Sequence, residues 1–139
     1  MKAQKTSKGY YCLLETGEEV VSSLEQFVSA NDIRMASFTM MGAVLHAELG
    51  YYTLFEKQYH WKTFEGEFEI LGATGNVTIF QEEPVIHLHA TLSGADFIAF
   101  GGHVRRAIVA ATCEIVMTTE EGTLERTFDD RVGLNLWKL

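Results

Sequence analysis

A chain of 139 residues, 47% of them hydrophobic and 22% charged, is long enough for one domain with its own core and too short for two. Its net charge of −8 disfavours direct binding to nucleic acid, whose phosphates are neutralised by Lys and Arg. The opening Met1 to Lys8 is polar and basic without the apolar stretch of an export signal, and no later run approaches the roughly 18 apolar residues of a membrane span.

Residues 1–8 are expected to form a loose, solvated tail, and residues 9–139 a single compact domain. Tyr10 to Leu14 has the composition of a first strand. Thr16, followed three residues later by Glu19, resembles a capping box, and Val20, Val21, Leu24, Phe27 and Val28 recur at helical spacing. A helix over about 18–30 is predicted, stopped by Asn31 and Asp32 and packed by one face on a sheet. From Met35 the period changes to short runs of aromatic and β-branched residues: 35–41, 44–54, 59–64, 67–73, 76–81, 85–92, 96–100 and 107–118. Turns are expected at Gly75-Asn76 and Glu120-Glu121-Gly122, with a last strand over 123–128. Connections this short cannot make parallel crossovers, so the sheet should be mainly antiparallel. The fold class is α+β, an antiparallel sheet with flanking helices. Cys12 and Cys113 lie in apolar, strand-like runs without C-x-x-C spacing, as reduced core residues do, which fits a cytoplasmic protein.

Chemistry concentrates in Val85-Ile86-His87-Leu88-His89-Ala90, followed by Gly101-Gly102-His103. Side chains alternate along a strand, so His87 and His89 share a face, and neutral imidazole is a common ligand of zinc and other divalent metals. Glycines 101 and 102 allow the chain to bring His103 over the pair. Two readings stay open on spacing alone: a metal site of three histidines, or half-buried histidines hydrogen-bonded within a sheet. A core of this size needs no metal staple, so a metal here would be functional.

Other groups have their own alternatives. Glu69 is a candidate proton acceptor near a metal or an ordinary solvated strand residue. Arg105, with Arg106, is a candidate clamp for an anionic substrate or a partner in ion pairs. Glu114, in an apolar strand, is expected to pair with Arg126. His46 and His60 are expected at surface or edge positions. Nothing resembles a phosphate-cradling loop or a serine nucleophile elbow.

Gly66-Glu67-Phe68-Glu69-Ile70-Leu71 with Gly75, His87-Leu88-His89, Gly101-Gly102-His103, Thr112-Cys113-Glu114-Ile115, and Arg126 to Gly133-Leu134 together resemble the plants-and-prokaryotes-conserved (PPC) domain family over residues 10–136. Gly42-Ala43 also resembles its glycine-rich turn, with Met41 where a glycine is frequent. The resemblance implies an α+β homotrimer and implies that His87, His89 and His103 match histidines that bind zinc in prokaryotic members. The plant members' DNA-binding role lies in Arg-Gly-Arg-Pro tracts; this chain has none, and its only proline is Pro84. The family fold is also similar to that of acetolactate decarboxylase, an enzyme with a comparable histidine set. Two functions therefore stand side by side: a self-assembling, noncatalytic metal-binding domain, and a metal-dependent enzyme acting on a small oxo- or hydroxy-acid.

Overall fold

The computed structural model describes residues 1–139. In chain order the elements are β1 (Lys2–Thr6), β2 (Gly9–Glu15), α1 (Val20–Ala30), β3 (Ala36–Thr53), β4 (Gln58–Phe80), β5 (Glu83–Ser93), β6 (Ala99–Thr119), β7 (Arg126–Asp129) and β8 (Leu134–Trp137). The first six strands form one antiparallel sheet in the order β1-β2-β6-β3-β4-β5, and β7 and β8 form a separate hairpin. A further pairing of β5 with the start of β6 closes β3, β4, β5 and β6 into a barrel-like ring. Val44, Ala47, Leu49, Ile70, Leu88, Leu92 and Val104 fill its interior.

The expected antiparallel sheet is present, but the flanking helices reduce to one. Only residues 20–28 repeat at helical spacing, and α1 buries Val20, Leu24 and Val28 completely, one residue every fourth position. Its cap also differs from the expected box. The Glu19 carboxylate caps the helix, accepting from the Val21 and Ser22 amides at 3.1 and 2.6 Å and from Ala107 of β6 at 3.0 Å. A negative charge at the helix N-terminus complements its dipole while fixing the helix to the sheet. Thr16 instead donates to the Ala111 carbonyl at 3.0 Å. Asn31 closes the C-terminus, as expected.

The N-terminal segment is not a loose tail. β1 pairs along its length with β2, from Lys2 opposite Leu13 to Thr6 opposite Gly9, and the terminal ammonium pairs with Glu18. All its side chains are exposed, so the strand rests on backbone hydrogen bonds at a sheet edge and leaves no apolar pattern.

The expected short strands fuse into long, bent ones. Residues 35–41 and 44–54 become β3, and three further runs become β4. The breaks between them are bulges, not turns. Gly42, at φ 147°, lies in a register shift of β3 where a Cβ would stand 2.2 Å from the Thr112 carbonyl oxygen. Gly75-Asn76 is mid-strand, and a Cβ on Gly75 would strike the Phe38 ring at 2.3 Å. The true β4–β5 turn is Gln81-Glu82, both at positive φ (52° and 67°), without the glycine or asparagine that usually signals it. Likewise the strand expected over 123–128 begins only at Arg126, as β7, and it pairs with β8, the last strand. No helix is long and apolar enough to cross a membrane.

Candidate metal centre

The closing pairing of β5 with β6 builds the site. His89 stands directly opposite His103 in that register, and His87 lies two residues before His89 on the same face. The three rings are mutually 5.1, 5.2 and 5.3 Å apart between centroids, and their nitrogens lie within 4.8 Å of one another. The glycines before His103 act by close approach, not by turning the chain. A Cβ on Gly101 would stand 2.3 Å from the Ala90 carbonyl oxygen, and one on Gly102 would stand 2.8 Å from that of Gly50. Small residues there let β6 sit against β5 and β3 together.

The cluster fits a divalent transition metal. Nε2 of His87 and Nε2 of His89 are 3.3 Å apart, close to the roughly 3.3 Å expected between two nitrogens bound tetrahedrally to zinc at about 2.0–2.1 Å. Nδ1 of His103 is buried without a hydrogen-bond partner, a cost that a ligand or metal would relieve. Burial, followed by the neighbouring His87, His89 and Arg126, pushes the His103 pKa down to about 4, and burial with Arg126 and His89 lowers that of His87. Both imidazoles are thus neutral at pH 7, the form that binds metal.

The surroundings of the cluster were not legible in the spacing of the histidines. Arg126 of β7 brings Nη2 to 3.5 Å from His87 Nδ1. Its Nε donates to Thr78 Oγ1 at 2.7 Å, its Nη1 to the Asn135 carbonyl at 2.8 Å and its Nη2 to Asn76 Oδ1 at 3.1 Å. An arginine N–H can only donate, so this approach is a hydrogen bond only when His87 Nδ1 carries no proton; with Nε2 given to a metal, the ring proton is on Nδ1 and Arg126 is held by its three bonds to Thr78, Asn76 and Asn135. On the other flank, Tyr59 packs on His103 at 5.0 Å and stacks on Trp61 at 4.8 Å, and Tyr52 meets the edge of Tyr59. Burial raises the Tyr59 pKa. Gly50 makes room for this wall, since a Cβ there would meet Trp61 at 2.6 Å.

The other candidates lie elsewhere. Glu69 is exposed on β4 opposite Ser93, four residues and about 13 Å along the strand from His89. Arg105 pairs with Glu48 at 3.2 Å and lies over Trp61 at 5.1 Å, so it supports the aromatic wall. The expected Glu114–Arg126 pair does not form, because Glu114 is exposed on the outer face of the sheet. His46 and His60 each contact a glutamate, Glu65 at 2.8 Å and Glu56 at 2.6 Å, away from the cluster.

Residues 1–121 match the family model of the Plants and Prokaryotes Conserved (PCC) domain, and this chain belongs to that family. Among solved structures, a candidate DNA-binding protein from Ralstonia eutropha JMP134 superposes with a TM-score of 0.93 at 32% identity, over 99% of this chain and 96% of that one. The metal-containing protein AF0104 from Archaeoglobus fulgidus superposes at 0.87 with 33% identity over the whole of both chains. Acetolactate decarboxylase from Bacillus subtilis subspecies spizizenii shares the fold at a TM-score of 0.59 and 14% identity, over 86% of this chain and 56% of the enzyme. No curated protein matches this chain.

Proposed function

We propose that the chain is a metal-binding, self-assembling domain in which His87, His89 and His103 hold zinc and three copies form a homotrimer in the cytoplasm. The convergence of three imidazoles from two adjoining strands carries the metal half of this reading. The metal-containing relative from Archaeoglobus fulgidus supports it. The imidazole set suits zinc, nickel, copper and iron alike, so the choice of zinc rests on the family resemblance and on the metal's availability. Assembly is supported by the outer face of the sheet, where Tyr11, Met41, Leu71 and Val116 are all more than two-fifths exposed. The net charge of −8 speaks against direct nucleic-acid binding by this chain. Elemental analysis of the purified protein beside His89→Ala tests the metal: the wild type should carry it and the variant should lose most of it. Equal metal in both would refute the ligand role of His89.

One observation favours a second reading as a metal-dependent enzyme acting on a small oxo- or hydroxy-acid: Arg126 stands beside the cluster where an acid would need a cation. A metal there would supply a Lewis acid able to polarise a carbonyl or to lower the pKa of water. The chain's own contribution would be positioning. His87, His89 and His103 present ring nitrogens, Arg126 offers charge to a carboxylate, and Tyr59 and Trp61 shield one flank from water. A panel of such acids, assayed with zinc and after chelation, should show turnover that chelation abolishes; no metal-dependent turnover on any of them would refute this reading.

A further inference from the structure

The β7–β8 hairpin is a separate two-stranded sheet fastened to the rest of the chain at its root and at its tip. At the root, Arg126 donates to Thr78 and Asn76 of β4 and approaches His87 Nδ1 to 3.5 Å, and the Ile79 amide donates to the Leu124 carbonyl at 2.9 Å. At the tip, the Tyr52 hydroxyl donates to the Val132 carbonyl at 2.6 Å and Lys57 Nζ to that of Asp130 at 2.5 Å. The Tyr52 ring meets Tyr59, which packs on His103. The hairpin thus runs as a strap from the His87 side of the cluster to the His103 side. Little else holds it: no residue after Met117 is buried as a whole, and Phe128 and Trp137 are about half exposed. Segments with so few buried contacts open at low free energy. Asn135 Oδ1 is enclosed in the closed strap without a partner, a cost that opening to water relieves.

The fastening at the root conflicts with a metal on His87. Arg126 can only donate, so its approach to Nδ1 is a hydrogen bond only while that nitrogen is bare. A His87 that gives Nε2 to a divalent cation carries its ring proton on Nδ1, and that proton then faces Nη2 donor to donor. The loaded ring also brings positive charge toward a guanidinium that takes part in none of the chain's ion pairs. Of the three bonds left to Arg126, the one to Asn135 lies within the hairpin, so only those to Thr78 and Asn76 still tie it to β4.

We infer that the chain senses its metal through this strap: closure of β7–β8 by Arg126 and occupancy of His87 oppose each other, so the strap is fastened in the metal-free protein and loosened in the loaded one. Such coupling is reciprocal, so whatever weakens closure of the strap tightens metal binding. The inference rests on the metal-binding reading.

The test compares amide hydrogen exchange of the full chain after chelation and after loading with zinc. Exchange over 126–137 should speed up about 5-fold or more on loading, the low end of the usual coupling between two sites, while exchange over 87–103 slows. Arg126→Gln keeps a side-chain amide at the root but no charge. In competition with a chromophoric chelator it should bind zinc about 5-fold or more tightly than the wild type, and its hairpin should no longer respond to zinc. Tyr52→Phe, which keeps the ring on Tyr59 but loses the bond to Val132, should tighten zinc binding in the same direction and by less. A residue that merely orients a ligand has the opposite signature, since its loss weakens metal binding. Hairpin exchange that slows or stays level on loading, or zinc affinity in a folded Arg126→Gln no higher than that of the wild type, would overturn the inference. If that variant does not fold, the wild-type exchange decides by itself. Zinc bound beside an unresponsive hairpin removes this switch alone; failure of the wild type to bind zinc removes the metal reading and this inference with it.

Discussion

At the residue scale, the site depends on what sits beside each histidine as much as on the histidines. The H-L-H alternation is visible in sequence because a strand's period of two puts both imidazoles on one face. The third ligand candidate is visible only as a histidine after two glycines. Arg126 could not be found this way, because it reaches His87 from β7, 39 positions away, and no local pattern encodes that approach. Glu69 is a candidate because it alternates with the apolar Phe68 and Ile70, and Arg105 because it follows His103 closely in sequence; neither alternation nor closeness along a strand fixes which side chains meet across strands. The glycines yield a prediction. In Gly101→Ala the new Cβ would meet the Ala90 carbonyl oxygen at 2.3 Å. Backbone must therefore shift, and the variant should unfold in urea about 1–3 kcal/mol more easily and bind less metal per folded chain. Unchanged stability together with unchanged metal content would show that β5 and β6 tolerate separation.

Histidine protonation gives a second prediction at the same scale. The folded-state pKa of His103 is pushed below its ordinary 6.5 to about 4, chiefly by burial. Above pH 6.5 both folded and unfolded chains carry it neutral, and its contribution is pH-independent. As pH falls from 6.5 towards 4 the unfolded chain takes up a proton that the folded chain refuses, so stability is lost across that window. His87 acts in the same direction. With metal removed by chelation, urea midpoints measured between pH 7.5 and 4.5 should fall, and His103→Gln should flatten the slope. A wild-type midpoint as flat as the variant's would contradict the burial of this ring.

At the element scale, α1 was legible because its apolar positions recur every three to four residues, and the helix ends where Asn31 stops it. Its N-cap was misplaced by three residues, since Glu19 caps in place of the shorter Thr16 side chain while also bonding β6. The long strands were harder. Gly42 and Gly75 read as turns in sequence because loops and bulges use glycine for the same conformational freedom, and only the partner strands show that both are close approaches. The converse error hid the Gln81-Glu82 turn, where ordinary residues hold positive φ. Since α1 is the one helix, the inner face of the sheet depends on it. Leu24→Ala, at a fully buried position, should cost about 2–5 kcal/mol in urea unfolding. A loss below about 1 kcal/mol would mean that the helix is dispensable to the core.

At the scale of the whole molecule, the single helix leaves the opposite face of the sheet uncovered. One row across that face runs His89, Thr74, Thr39, Val116, Tyr11 and Gln4, each directly opposite the next and all exposed. Met41 and Leu71 lie beside it. The outer face therefore carries large apolar side chains in its middle and the histidine cluster at one border, and sequence alternation marks such residues only as outward-facing, not as covered or bare. Burying them between copies would remove apolar area from water at about 25 cal/mol per Å², which is the force available to assemble the proposed trimer. Val116→Lys sets a charge at the centre of that row without touching the inner core or the histidines. Light scattering at micromolar concentration should find three chains per particle in the wild type and a shift to single chains in Val116→Lys, with the circular dichroism of the two unchanged. A trimer that survives this substitution would place the interface elsewhere, on the exposed aromatic tips of the β3–β4 or β5–β6 connections, and a wild-type monomer would remove self-assembly from the function altogether.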